Sequence, residues 1–571
     1  MSAALGSIGV MLAFVASIGA AIVLVAAVRG SNRRLGRLGG QLLLMILLGS
    51  MLAFGAMEWA LVTHDFSLQY VASNHSLSTP LLYTIASAWG ALEGSILLWG
   101  LILAGYITVI GRRYRSRFHE PLVGWAFAVA ALVAAFFFML MVGPANPFTL
   151  LPGRVPLDGR GPNPLLQNHP LMAFHPPILY LGYVGFTIPF AFATASLITG
   201  EVSDGWLSAT RRTTLFAWGC LTVGIGLGGW WSYEVLGWGG YWAWDPVENA
   251  SLLPWLTGTA YLHSVIMQER RGMLRLWNLS LVVATFCLTI LGTFLTRSGV
   301  INSVHAFSQS AIGPLLLAFL GVCATVSILL VAWRAEQLRS PGQIDSPVSR
   351  EAAFLVNNLL FAAFMIVVLL GTVFPLLVEA YDGRQISVGE PYFDDMTRPV
   401  AFALLFLMGA APLLPWRAAG VDVLHRRLIV PAATAVGVMV IAVVAGLGGV
   451  SPVVAVGLAS FALTGIASQL ALAVRGHRAR HRRSWPRATV GAFAGQRRLF
   501  GGLIVHAGVA VVAVALAIAP TYSADRSALM GPGDTIRLRS YEITYLDSNQ
   551  QADGDRTVET ATFGILQDGR D

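Results

Sequence analysis

About 14 apolar runs of close to 20 residues each, set between short polar stretches, leave this chain few ways to fold. They fall near 5–28, 40–63, 94–111, 122–142, 176–199, 213–229, 250–267, 276–296, 312–333, 353–378, 399–416, 427–446, 452–474 and 498–519. Each is long enough to span a bilayer as a helix, the form that satisfies every backbone polar group within its own segment. With 56% hydrophobic and 12% charged residues, no soluble core of ordinary size would absorb the apolar surface. The expected fold class is an all-α polytopic membrane protein of about 14 transmembrane helices, with a small β-rich domain at its C-terminal end.

Arginine sets the orientation. All 37 basic residues are Arg, and 27 lie in alternate loops such as "RGSNRRLGR", "RRYRSRFHE", "ERRGMLR" and "RGHRARHRRSWPR". The opposite loops hold five and the tail five more. The positive-inside rule places the arginine-rich set in the cytoplasm. Topology therefore accounts for the basic runs and for the net charge of +8, and no nucleic-acid partner is expected. The N-terminus then lies outside. Residues 2–28 lack a basic leader and a small-residue cleavage site, so they read as a retained first helix. Cys220, Cys287 and Cys323 are far apart in apolar segments, without CxxC or CxxCH, so neither thiol exchange nor covalent haem attachment to this chain is expected.

Residues 1–519 thus form a membrane domain, and 520–571 an outer domain. In the tail, "DTIRLRSYEITYLD" alternates with period two, "SNQQADGD" reads as a turn, and "TVETATFGIL" alternates again. The chain stops at "QDGRD", a turn signal with no strand after it, so a further segment is expected beyond.

One outer loop stands apart. Between Trp230 and Trp255 lie six of the 16 tryptophans. Within it, Trp238, Tyr241, Trp242 and Trp244 are spaced by Gly237, Gly239 and Gly240. An interfacial aromatic belt scatters its rings over many helices, whereas clustered indoles make a broad apolar platform with N–H groups at its edge. Glycine lets the backbone approach a flat partner. Interface packing and binding of a flat ligand such as a porphyrin both account for the pattern. Asp245-Pro246-Val247-Glu248 reads as an N-cap, a proline at the first helical position and a capping-box glutamate.

Eleven histidines supply the next signal. His169 and His175 lie at the outer end of the fifth segment, and His305 lies in an outer loop. His263 and His506 lie inside apolar segments, where an ionisable group is costly and marks function. His263 is about 17 residues, roughly 25 Å, along an inward-running helix, and His506 is roughly 20 Å from the outer end of an outward-running one. Both fall at a similar level in the cytoplasmic half, where neutral imidazoles suit one metal. A planar haem between helices is the usual occupant of such a pair. His175 and His305 form a second possible pair on the outer surface.

The stretch "WGGYWAWDPVENASLLPW" resembles the WWD signature of haem-handling proteins in cytochrome c maturation. "ASAWGALEGSILLW", "NPLLQNHPLMAFHPPILYLGYVGF", "LGTFLTRSGVINSVHAF" and "GGLIVHAGVAV" resemble the CcmF family of cytochrome c-type biogenesis haem lyases in particular. The resemblance runs from near residue 70 to the tail. It implies that His175 and His305 flank a transient haem at a periplasmic WWD site, the "HPPILY" context selecting His175 over His169. It further implies that His263 and His506 ligate a permanent b-type haem. Trp238, Trp242, Trp244 and Asp245 then belong to the ligation site, and Arg297, at the outer end of the eighth segment, suits either a haem propionate or an interfacial anchor snorkelling to water. The resemblance implies a further membrane helix after the periplasmic domain, beyond residue 571.

The resemblance also implies a mechanism in the bacterial inner membrane. A CcmE-type chaperone delivers haem, CcmH- and CcmI-type partners present the CxxCH thiols of apocytochrome c, and the b haem, reduced by quinol, keeps the transferred iron ferrous. Two other functions use part of this equipment. A quinol-linked b-type electron-transfer subunit would use the buried histidines, and a haem exporter would use the tryptophan loop.

Overall fold

The computed structural model of the chain describes residues 1–571 other than 164–168, 203–204, 237–239, 300–310, 340–341, 343, 419–420, 525, 527, 554–555 and 568–571. The described residues form 18 α-helices and three strands. In order, the helices are α1 (Ser2–Arg29), α2 (Arg33–Val62), α3 (Gln69–Asn74), α4 (Leu81–Ala86), α5 (Leu92–Arg113), α6 (Pro121–Val142), α7 (Leu171–Gly185), α8 (Thr187–Thr199) and α9 (Gly205–Val235). Then follow α10 (Pro246–Arg271), α11 (Arg275–Arg297), α12 (Gly313–Trp333), α13 (Arg350–Asp382), α14 (Glu390–Ala410), α15 (Val421–Val444), α16 (Val450–His481), α17 (Trp485–Gly495) and α18 (Arg497–Tyr522).

Twelve stretches are long and apolar enough to cross a membrane, α7 and α8 together counting as one. The two helices flanking the tryptophan loop, α9 and α10, fall outside that set. They spend their positions on Thr, Gly, Trp and Pro, and α10 ends in "QERR". With these two, the 12 make the 14 segments read from the sequence. The chain is a multi-pass membrane protein with a mostly helical fold.

Contacts divide the chain into two units, residues 1–343 with 361–395, and residues 344–360 with 396–571. In the first, α1 crosses α2 through small residues. A Cβ on Gly9 would lie 2.6 Å from Gly49 O, and one on Gly49 2.6 Å from Gly9 O. Backbones this close gain dispersion contacts that larger side chains would forbid, the usual basis of association in lipid. The core of this unit is aromatic, with Trp99, Phe127, Phe137, Phe138 and Phe192 all fully buried. In the second unit Leu405, Ala459 and Ala510 join α14, α16 and α18. The Glu351 carboxylate there accepts the Arg417 backbone N–H at 2.9 and 3.0 Å.

The C-terminal sheet is antiparallel in the order β1 (Thr535–Leu538), β2 (Tyr541–Asp553), β3 (Arg556–Gln567). It differs from expectation in two places. The alternating run near 534–547 is broken into two strands, because Arg539 takes a left-handed φ of 54° and closes a tight hairpin, pairing Leu538 with Tyr541. "SNQQAD", read as turn, is strand. Its backbone pairs with the Thr-rich β3, as in Asn549 with Thr560, after a register shift between Tyr545 and Asp547. A complete ladder outweighs the weak β-propensity of Asn, Gln and Asp.

Candidate functional site

The site is built around the His175-Pro176-Pro177 turn of α7. Two prolines inside a helix remove the N–H groups that would reach the carbonyls of Met172 and Ala173. The Trp89 indole N–H takes one of these, donating to Met172 O at 3.2 Å. His175 Nδ1 donates to Gly224 O of α9 at 2.8 Å. In a neutral ring that bond leaves the lone pair on Nε2, the arrangement common to metal-ligating histidines. Gly228, one turn further along α9, makes room for the ring, since a Cβ there would stand 2.7 Å from His175 Cε1. Trp231 lies edge-on to the imidazole with centroids 5.7 Å apart, and its buried Nε1 has no hydrogen-bond partner among the described residues. An orphaned donor beside a poised imidazole and a glycine cradle fits a ligand with polar groups at its rim.

His169 is arranged differently. Its Nδ1 accepts the Leu171 N–H at 3.2 Å and its Nε2 faces Glu234 Oε2 at 2.5 Å. An accepting Nδ1 requires a neutral ring, with Nε2 donating to the carboxylate. Both nitrogens are therefore used, and Trp230 donates to the other oxygen of Glu234.

The tryptophan loop enters α10 through the expected cap. Asp245 Oδ2 accepts the Val247 N–H at 3.0 Å. Glu248 Oε2 accepts the N–H groups of Asp245 at 3.2 Å and Ala243 at 2.8 Å. Pro246 holds the first helical position and Pro254 lies within the helix. The Asp245 carboxylate thus fixes the loop exit. Trp244 has a φ of 56°, a region bulky residues rarely adopt. Three contacts hold it there. Its ring stacks on Phe393 at 5.0 Å and 9°, its Nε1 donates to Asp394 at 2.9 Å, and its carbonyl accepts from Asn249 Nδ2 at 2.9 Å. Trp242 meets Trp244 edge-on at 6.0 Å. One face of Trp244 is thus taken by the chain. Trp238 and His305 lie outside the described residues.

Arg297, at the last turn of α11, is 2% exposed. Its guanidinium donates to Ser95 Oγ at 3.1 Å, Thr296 Oγ1 at 3.0 Å and Tyr180 OH at 2.7 Å, all hydroxyl oxygens. Tyr180 lies on α7 beyond His175, so Arg297 braces the same helix. His263, half-buried on α10, donates from Nδ1 to Thr259 O at 2.8 Å, and its ring lies 6.0 Å from Phe361. It has the same tautomer logic as His175. His506 belongs to the second unit, half-buried on α18. Within the first unit, the structure brings His175 together with Trp231 and α9.

The sequence reading missed Trp89, Gly228, Phe393 and Asp394. The proline pair was the available signal for Trp89, because two orphaned carbonyls ask for a donor. Nothing local marks Phe393 and Asp394, which are about 150 residues from the ring they hold.

A family model described as "Cytochrome C assembly protein" matches residues 89–301, a segment holding Trp89, His175, the tryptophan loop, His263 and Arg297. The chain is 38% identical to the cytochrome c-type biogenesis protein CcmF of Pseudomonas aeruginosa, over 91% of this chain and 78% of that protein. It is also 38% identical to CcmF of Escherichia coli strain K12, over 95% and 81%. A solved structure named cytochrome c heme lyase CcmF matches with a TM-score of 0.80 and 35% identity, covering 100% of this chain and 86% of that one.

Proposed function

The chain belongs to the CcmF family of cytochrome c-type biogenesis haem lyases, and we propose that it holds haem at the His175 end of α7 while apocytochrome thiols add to it. The observation that carries this reading is the His175 environment. Its Nδ1–H is engaged, its Nε2 is the basic nitrogen, and the Trp231 N–H, without a partner among the described residues, stands beside it. In this reading haem is the substrate, supplied by a CcmE-type chaperone to the periplasmic face. His175 and His305 bind its iron, and the platform at Trp238 and Trp242 lies against its face. Trp244 and Asp245 position that platform. Arg297 supplies charge opposite a propionate.

The step itself balances without net oxidation. Each CxxCH thiol adds S–H across one vinyl C=C, forming a C–S bond and a C–H bond. CcmH- and CcmI-type partners present the thiols. His263 and His506 are proposed as the residues that would hold a b-type haem, which would supply one-electron transfer from quinol when bound. The Thr259 carbonyl keeps the proton on His263 Nδ1 and so keeps Nε2 basic. That assignment is supported by the sequence positions of the two histidines.

The test is a haem count with a reduced-minus-oxidised spectrum of the purified chain and of three variants. His263→Ala is expected to lose the low-spin b signal. His175→Ala and Gly228→Ala are expected to keep that signal and lose retention of the second haem, with thioether formation on an apocytochrome falling at least tenfold. Normal thioether formation with Gly228→Ala, whose Cβ must displace the imidazole, would remove His175 from the site.

A further inference from the structure

We propose that the corner between α16 and α17 binds the phosphate of an anionic phospholipid headgroup. A cavity of about 350 Å³ is lined there by Arg475, Arg478, Arg482 and Arg483 with Ala479 and Trp485. Arg475, Arg478 and Arg482 recur at the spacing that lines one face of a helix. Arg482 then adopts a left-handed φ of 49°, ending α16 and turning the chain so that Trp485 opens α17 beside the same face. The Arg478 guanidinium lies 4.4 Å from the centre of the Trp485 ring. That contact pre-orients one arginine toward the cavity.

The surrounding sequence supplies no counter-charge for this concentration of cations. Between Asp422 and Asp525 there is neither Asp nor Glu, while the same stretch holds ten arginines. Among the described residues none of the four cavity arginines forms an ion pair, unlike Arg117, Arg211, Arg384 and Arg537 elsewhere. Four guanidinium groups around one cavity repel each other, so an anion from outside the chain relieves the arrangement. Guanidinium forks match phosphate oxygens bidentately, which makes phosphate the fitting chemistry.

The second helix argues for a lipid as its source. α17 packs through small residues, with Ala488 and Ala492 fully buried and Gly491 set against His477 of α16. Its other face exposes Trp485, Val490 and Phe493, with Val490 70% exposed. A short helix with basic neighbours and outward apolar side chains lies in a membrane interface. The arginine distribution puts this corner on the cytoplasmic side, where acidic headgroups are met. A phosphate held by the arginines would carry its acyl chains alongside the apolar face of α17. This site is independent of the haem chemistry.

The experiment uses the full chain in detergent and titrates short-chain phosphatidylglycerol, phosphatidylcholine or inorganic phosphate, with bound mass read by native mass spectrometry. Phosphatidylglycerol is expected to bind in preference to phosphatidylcholine. The R478Q/R482Q variant should lose about tenfold or more of that affinity, since each basic contact near a headgroup is worth roughly a factor of five. R33Q/R34Q, which removes the same charge from another exposed basic loop, should keep it. Equal loss in both variants would reduce the effect to diffuse charge and overturn the site. Binding of inorganic phosphate with no preference for phosphatidylglycerol would overturn the lipid as its source. A Trp485→Phe variant retains a ring face and is expected to bind within about twofold of the parent. Loss as large as in R478Q/R482Q would count against the proposed cation–π role of the ring.

Discussion

His75 carries a fully buried imidazole, bonded through Nε2 to Nδ1 of the half-buried His64 at 2.7 Å. With centroids 4.9 Å apart and planes 4° apart, the rings meet edge to edge in one plane. Burial pushes the His75 pKa down to about 4, the charge of His64 pushes the same way, and Asp158 pulls against both. A histidine depressed in the folded state favours folding fully above its ordinary value of 6.5, and that contribution is lost as pH falls toward 4. Hydrogen exchange, corrected for intrinsic rate, should therefore show the 64–79 loop and its 158–161 strap losing protection between those values. His75→Asn should flatten the dependence, and a pH-independent pattern in the parent would refute the linkage. The two histidines are only 11 residues apart, but their pairing is invisible in the sequence because a strap about 80 residues away closes over them, with Leu77 N–H donating to Asp158 at 2.8 Å. The same holds around His175. The "HPPILY" context singled out His175, yet the glycine that seats it is on another helix.

At the scale of helices, α9 and α10 show why hydropathy alone undersells the most informative part of the chain. Their contact is a reciprocal pair of polar bonds. Trp218 Nε1 of α9 donates to Thr259 Oγ1 of α10, and Trp255 Nε1 of α10 donates to Thr222 Oγ1 of α9, both at 2.9 Å. The two indoles lie 6.3 Å apart at 21°. Thr259 also presents the carbonyl that fixes the His263 tautomer, so this latch and the buried imidazole share one turn. Interhelical side-chain bonds in membrane proteins contribute about 0.6 kcal/mol on average and up to about 1.7 kcal/mol. Thr222→Val and Thr259→Val are each expected to lower stability by about 1 kcal/mol, measured by unfolding in mixed micelles. A double-mutant cycle of Trp255→Phe with Thr222→Val should return a coupling of that order, and a coupling of zero would dissolve the latch. The long apolar helices were legible because length and hydropathy suffice for them. The short α3, α4 and α17 were not, since six to eleven residues carry too little period to separate them from loop.

For the molecule as a whole, the arginine count makes a claim about sidedness that the helices alone do not. Their number and order follow from the apolar runs, but a bundle inverted in the membrane would contain the same helices. Only the loops break that symmetry, and charge is what the insertion machinery reads. The division into two units was not legible, because α13 and α14 each give residues to both and no linker marks the boundary. Sidedness can be tested with two exposed serines, Ser540 in the β1–β2 turn and Ser484 before α17. Cys220, Cys287 and Cys323 are free and sit within helices, so they are first replaced to give a silent background. Ser540→Cys is expected to react with a membrane-impermeant maleimide in intact cells. Ser484→Cys should react only after permeabilisation, placing the arginine corner in the cytoplasm. The reverse pattern would put the tryptophan loop inside and separate it from any periplasmic apocytochrome, and labelling of both sites in intact cells would contradict the odd number of spans that lies between them in this reading.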